Sequence, residues 1–161
     1  MENTHIFNPM RRKNREIANR SEIEEILYRE KLMHLALSDQ NIPFVVPVFY
    51  AFDGVSLYFH SASAGTKMDI LKRNDNVCFE VCIQEGVIQS DEACDFEAKH
   101  RTVIGFGKAA PVVDDAEKKK ALDLIVARFT EKKFHYSKEN LARTQVIRID
   151  IVSVRGKKHG V

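Results

Sequence analysis

Asp53-Gly54 lies between two runs of extended-chain residues, 43–52 (PFVVPVFYAF) and 55–61 (VSLYFHS), and this pairing restricts the fold more than any other feature. Glycine accepts the positive φ that a tight reversal needs, so the dipeptide reads as a hairpin. A second reversal is expected at Asp39-Gln40-Asn41, after a strand over residues 31–38 (KLMHLALS). Residues 77–87 (VCFEVCIQEGV), 100–113 and 145–154 (QVIRIDIVSV) read as three further strands, from their alternation and β-branched content. Strands joined by hairpins pair antiparallel. Six twisted strands in a chain of 161 residues close most readily as a barrel. The expected class is therefore mainly β with inserted helices, a six-stranded antiparallel barrel.

Helical spacing punctuates the strands. Ser21 with Glu24 forms a capping-box pattern, and Ile23, Ile26 and Leu27 share one face of a helix over 21–30. A second helix is expected from about Gly65 to Arg73, stopped by Asn74-Asp75-Asn76. A third begins at a cap on Asp114 or Asp115 and runs through Phe129, with Ala121, Leu122, Ile125 and Phe129 on one face. A helical turn is expected at 137–142, and an acidic loop or charged edge at 89–99. Residues 1–14 read as a basic arm through Arg11-Arg12-Lys13, either solvated or touching phosphate; 15–157 form the single domain, and the basic end of the chain from Arg155, including 158–161, reads as a tail.

Several classes are set aside. A net charge of +2 gives no nucleic-acid signal. No run of eighteen apolar residues is present, so no helical membrane span is expected, and the polar N-terminus lacks an apolar signal region. Cys78, Cys82 and Cys94 are odd in number and read as buried or free thiols in a reducing cytoplasm. Cys78 and Cys82 share a strand face but stand too far apart along it for a zinc knuckle, so no metal is expected. Gly105-Phe106-Gly107-Lys108-Ala109-Ala110 matches a loose dinucleotide fingerprint, but Pro111-Val112-Val113 continues extended where that motif needs a helix. Gly105 and Gly107 leave one strand face bare, open to a core aromatic or to a flat ligand.

The chemistry concentrates in residues 58–71 (YFHSASAGTKMDIL). A strand ends in hydroxyls, then glycine, then a lysine in a first helical turn. Unpaired N–H groups at a helix start receive anions, and Ser61, Ser63 and Thr66 add donors. Lys67 opposes the helix dipole unless an anion offsets it. The segment reads as a phosphate seat. His60 precedes it, either ordering the turn or facing a ligand. Pro47 cannot donate to a ladder, so it marks an edge, a bulge or a place where ligand replaces a strand.

The ordered set of Val45-Val46-Pro47-Val48, Asp53-Gly54, Leu57-Tyr58-Phe59-His60-Ser61-Ala62, Gly65-Thr66-Lys67, Thr102 to Ala109 and Ile147-Arg148-Ile149-Asp150 resembles the flavin-binding split β-barrel proteins related to pyridoxamine 5′-phosphate oxidase. It is most similar to the nitroimidazole-resistance branch, which the opening from Met10 to Ile17 also fits. The resemblance implies a homodimer with FMN at the subunit interface, FAD being the alternative. It implies that His60, Ser61, Ala62 and the Gly65-Thr66-Lys67 turn hold the ribityl phosphate, that Val46, Pro47 and Val48 line the ring through their backbone, and that Arg101 and Thr102 reach the flavin from the partner. An FMN-dependent oxidoreductase acting on a small molecule, with nitro-group reduction aided by His60, is the expected activity. A flavin or haem carrier or sensor without turnover is the alternative. The basic C-terminal residues Arg155 to His159 do not reproduce the substrate-phosphate site of the pyridoxamine-phosphate oxidases proper, which speaks against that reaction.

Overall fold

The computed structural model describes residues 8–161. The first half of the expected arm, with His5, lies outside the described residues. The strands are β1 (Glu16–Ile17), β2 (Leu32–Asp39), β3 (Ile42–Phe49), β4 (Ala51–Phe52), β5 (Ser56–Ser61), β6 (Asn76–Ile88), β7 (Glu97–Pro111) and β8 (Gln145–His159). They form one sheet in the order β3-β2-β6-β7-β8-β5-β4, with β1 beside β8 and every pairing antiparallel.

The two ends of this ladder, β3 and β4, are consecutive in the chain and separated only by Tyr50. The sheet must therefore roll until its edges meet. Tyr50 is fully buried at the bend, and its hydroxyl donates to the Leu27 carbonyl. The expected single strand over 43–52 is thus broken at Tyr50, its first part pairing with β2 and its last two residues with β5. Continuing the β4–β5 register would pair Phe49 with His60, but no ladder forms there. The roll keeps an open seam between β3 and the end of β5.

Local chemistry sets this arrangement. Gln40 and Asn41 take φ of 48° and 65°, a two-residue reversal that makes Asp39↔Ile42 the closing hydrogen-bonded pair. Counting from it, Pro43, Val45, Pro47 and Phe49 fall at the wide pairs, where backbone groups point away from β2. Both prolines therefore cost the ladder nothing, and β3 is an edge strand as Pro47 indicated. Gly54 takes φ 97°, and the Asp53 carboxylate accepts the N–H groups of Val55 and Ser56 at 2.9 and 2.8 Å. Gly105 is bare for a packing reason: a Cβ there would lie 2.2 Å from the Phe79 ring, and Phe79 is fully buried. A core aromatic, not a ligand, fills that face.

The helices close the roll. α1 (Arg20–Arg29) buries Ile23, Ile26 and Leu27 in the main core with Met33, Leu35, Phe59, Phe79 and Ile149. Its cap is Asn19, which accepts the Ser21 N–H at 2.9 Å. The expected Ser21–Glu24 box does not form, because the Ser21 hydroxyl donates to Asn19 and Glu24 accepts from Arg20. α2 (Thr66–Arg73) buries Met68 and Ile70 in the same core. α3 (Asp115–Ala127), capped by Asp114, and α4 (Lys138–Arg143), capped by Ser137, build a second cluster on Ala51, Tyr58 and Val146. Phe129 lies beyond α3 and is exposed, so it does not share the buried face expected of it. The basic C-terminal residues are not a tail through His159. β8 continues past Val154, with Arg155 opposite Ile104 and the buried Gly156 opposite Val103 and Ile17.

Candidate functional site

β5 and β6 are separated in the sheet by β8 and β7, so the chain joining them must cross one end of the roll. α2 makes that crossing. The Asn74 side chain anchors its far end by donating to the Ser38 carbonyl at 2.9 Å, and Arg73 pairs with Asp39 at 2.6 Å. The helix divides the mouth into a flank toward β3 and a flank toward β7 and β8.

Toward β3 lies the seam. Asp53 N–H donates to the Ser56 carbonyl, so the backbone groups of Ser56, Tyr58 and His60 face the β4 side. β4 starts opposite Tyr58, which leaves those of His60 facing the seam. The free edge of β3 presents Val45 and Phe49 N–H groups and the Pro47 carbonyl from the other side. Val46 and Val48 turn their side chains into the core, where Phe59 also lies, while Pro47 is exposed on the outer face. Of the expected site, Val46, Pro47, Val48, His60, Ser61, Ala62, Gly65, Thr66 and Lys67 all sit on the elements that border this seam.

The Gly65 backbone, at φ 117°, caps α2 with nothing within 4 Å of a Cβ placed there. His60, Ala62, Ser63 and Thr66 are exposed and Ser61 is half-buried. Lys67 does not stream into solvent. Its ammonium lies 5.1 Å from the centroid of the buried Phe59 ring, and burial pulls its pKa below the ordinary lysine value. Among the described residues no carboxylate pairs with it. A half-buried cation at a helix start, facing a ring and lacking a counter-charge, suits a multiply charged anion; the hydroxyls and unpaired N–H groups around it suit phosphate oxygens.

Arg101 and Thr102 stand apart from these residues, on β7, three strands from β3. Arg101 pairs with Glu85 at 2.6 Å and with Glu25 of α1 at 3.3 Å, which holds its guanidinium strongly protonated. The Thr102 hydroxyl contacts His100 and donates to the Cys82 thiol at 3.4 Å. Within this chain, then, the fold does not unite them with the seam. Cys78 and Cys82 face outward from β6 and all three cysteines are free.

The flank toward β7 and β8 holds a cavity of about 490 Å³ that no linear motif announces. Its walls come from Ser63, Met68, Leu71 and Lys72, from Ala109 to Pro111, and from Gln145 and Ile147. Three distant segments meet only because Ser61 pairs with Gln145 and Pro111 with Ile147. A further unforeseen cluster ties α3 to the sheet: Arg148 pairs with Glu117 and Asp150, both at 2.9 Å, and the Tyr58 hydroxyl donates to Glu117.

The family model described as pyridoxamine 5′-phosphate oxidase matches residues 19–158, and the chain belongs to that family. No curated protein matches it. Among solved structures, a candidate 5-nitroimidazole antibiotic resistance protein from Bacteroides thetaiotaomicron is 27% identical, with 89% of this chain and 86% of that one covered at a TM-score of 0.79. A flavocytochrome from Azotobacter vinelandii is 23% identical, with 96% and 73% covered at 0.84. An FAD and heme binding protein from Mycobacterium smegmatis is 20% identical, with 91% and 74% covered at 0.83. These last two share the fold. Among the described residues no helix is long and apolar enough to cross a membrane.

Proposed function

We propose that this chain binds a flavin at the β3–β5 seam and works as a flavin-dependent oxidoreductase of the nitro-group-reducing kind. The half-buried Lys67 ammonium beside the open seam, with no carboxylate partner among the described residues, carries the reading. The flavin and heme ligands named for two of the structural neighbours, and the resistance role named for a third, support it.

Bound flavin supplies the hydride and electron chemistry. The protein supplies the rest. Lys67 neutralises a phosphate, with Ser61, Thr66 and the first N–H groups of α2 as donors. The free edge of β3 around Pro47 offers a flat backbone wall toward the ring, where Pro47 contributes a carbonyl and no N–H, while the backbone groups of Val46 and Val48 are used by β2. His60 is exposed at the seam with no side-chain partner among the described residues. Nitro reduction consumes protons with electrons, and an imidazole there donates one to a substrate oxygen. In a homodimer the partner's Arg101 and Thr102 complete the site, the Arg101 charge being already fixed by Glu85.

The test is reduction of the flavin-loaded protein by NADH or NADPH, followed by reoxidation with a nitroimidazole. His60→Ala is expected to keep flavin content and slow reoxidation at least tenfold. Unchanged reoxidation removes His60 from the chemistry. A second reading, a flavin or haem binding protein without turnover, is favoured by the neighbours named for both groups. Absence of bleaching by either nicotinamide would select it.

A further inference from the structure

The cavity on the β7–β8 flank of α2 is lined by neither His60 nor Lys67 and so lies to one side of the proposed phosphate seat. It nonetheless has the properties of a ligand site. At about 490 Å³ it falls in the size range of small-molecule pockets. Met68, Leu71, Ala109, Pro111 and Ile147 give it apolar walls of the kind that accept a flat heteroaromatic ring.

Its polar groups are selective. Lys72 is drawn to Asp69 at 3.5 Å and Asp75 to Lys108 at 2.8 Å, so those charges are answered. The Gln145 carboxamide, half-buried on the wall, has no hydrogen-bond partner among the described residues. A carboxamide carries a donor and an acceptor side by side, the complement of the N6/N7 edge of adenine. Ser63 lines the same cavity and belongs to the turn that leads to Gly65 and Lys67, so the cavity begins where the phosphate seat ends.

We propose that this cavity takes the adenosine half of a dinucleotide flavin, with Gln145 reading the adenine edge, so that FAD rather than FMN is the preferred cofactor. This rests on the flavin reading of the seam and deepens it. Gln145 acts here as a specificity residue and leaves the seam untouched.

The test is titration of flavin-free protein with FMN and with FAD, followed by flavin fluorescence, in the natural chain and in Gln145→Leu. Wild-type protein is expected to bind FAD about tenfold or more tightly than FMN. Gln145→Leu removes most of that preference while FMN affinity stays within about twofold, and AMP competes with FAD but not with FMN. Equal affinity for the two flavins in the wild-type protein overturns the adenosine site and leaves the seam reading standing. So does a Gln145→Leu loss shared equally by both. Binding of neither flavin overturns both. The wild-type comparison needs no variant, so a Gln145→Leu chain that fails to fold leaves the decision intact.

Discussion

Replacing Lys67 by methionine keeps the length and apolar stem of the side chain and removes only its charge. In the flavin-free protein the change is expected to be nearly silent. The ammonium contributes a cation–π contact of roughly 0.5–1 kcal/mol with Phe59. Against this stands the desolvation that depresses its pKa. The two oppose each other, so the melting temperature should move by no more than about 2 °C. With phosphate present the balance changes, because a charge-assisted bond of about 2 kcal/mol disappears, equivalent to a roughly thirtyfold weaker flavin dissociation constant. The pH dependence follows with its sign. Burial lowers the lysine pKa in the free protein, and a bound phosphate raises it again. Flavin affinity is therefore full below the depressed pKa and declines as pH rises through the value held in the complex. Lys67→Met should show no such alkaline decline. Fluorescence titration of both proteins from neutral to alkaline pH is the assay. A Lys67→Met protein that binds flavin as tightly as the parent, with the same pH profile, refutes the seat.

Two further outcomes follow from the packing and the buried phenols. Gly105→Ala places a methyl 2.2 Å from the Phe79 ring, where contact needs about 3.5 Å or more, so it should cost about 2–3 kcal/mol in urea unfolding; adding Phe79→Leu should make the pair cost less than the sum of the singles. Additive losses would place the clash elsewhere. Tyr58 is pushed up to about 12 by burial and by the Asp53 and Glu117 carboxylates, so the stability it lends is whole below pH 10 and falls as pH climbs from 10 toward 12. Tyr58→Phe should flatten that alkaline limb in pH-dependent unfolding, and an unaltered limb would contradict the burial.

Much of the fold was legible because its signals are local. Asp53-Gly54 and Gln40-Asn41 are reversals that fix register within a few residues, and Pro47 narrowed its position to an edge, a bulge or a ligand-facing gap, of which the sheet order realises the edge. The turn into α2 was legible for the same reason: its hydroxyls, Gly65 and Lys67 are contiguous. What escaped depends on distant residues. The break at Tyr50 exists because its hydroxyl finds Leu27 across the core. The extension of β8 through His159 is decided by pairing with β7 and β1, since Arg155-Gly156-Lys157-Lys158 has no strand composition of its own. Asn19 rather than Ser21 caps α1, a choice between cap formers two residues apart that composition alone does not decide. Gly105 could have faced a ligand or an aromatic, and only the register with Phe79 decides it. The cavity under Gln145 belongs to three segments and has no linear signature.

On the proposed function, the open seam beside Lys67 holds a flavin. The absorption spectrum of the purified protein, with mass identification of whatever denaturation releases, meets it most directly. A yellow protein with flavin bands that releases an intact flavin is the expected result. A colourless protein that takes up neither FMN nor FAD when either is supplied in excess would contradict it.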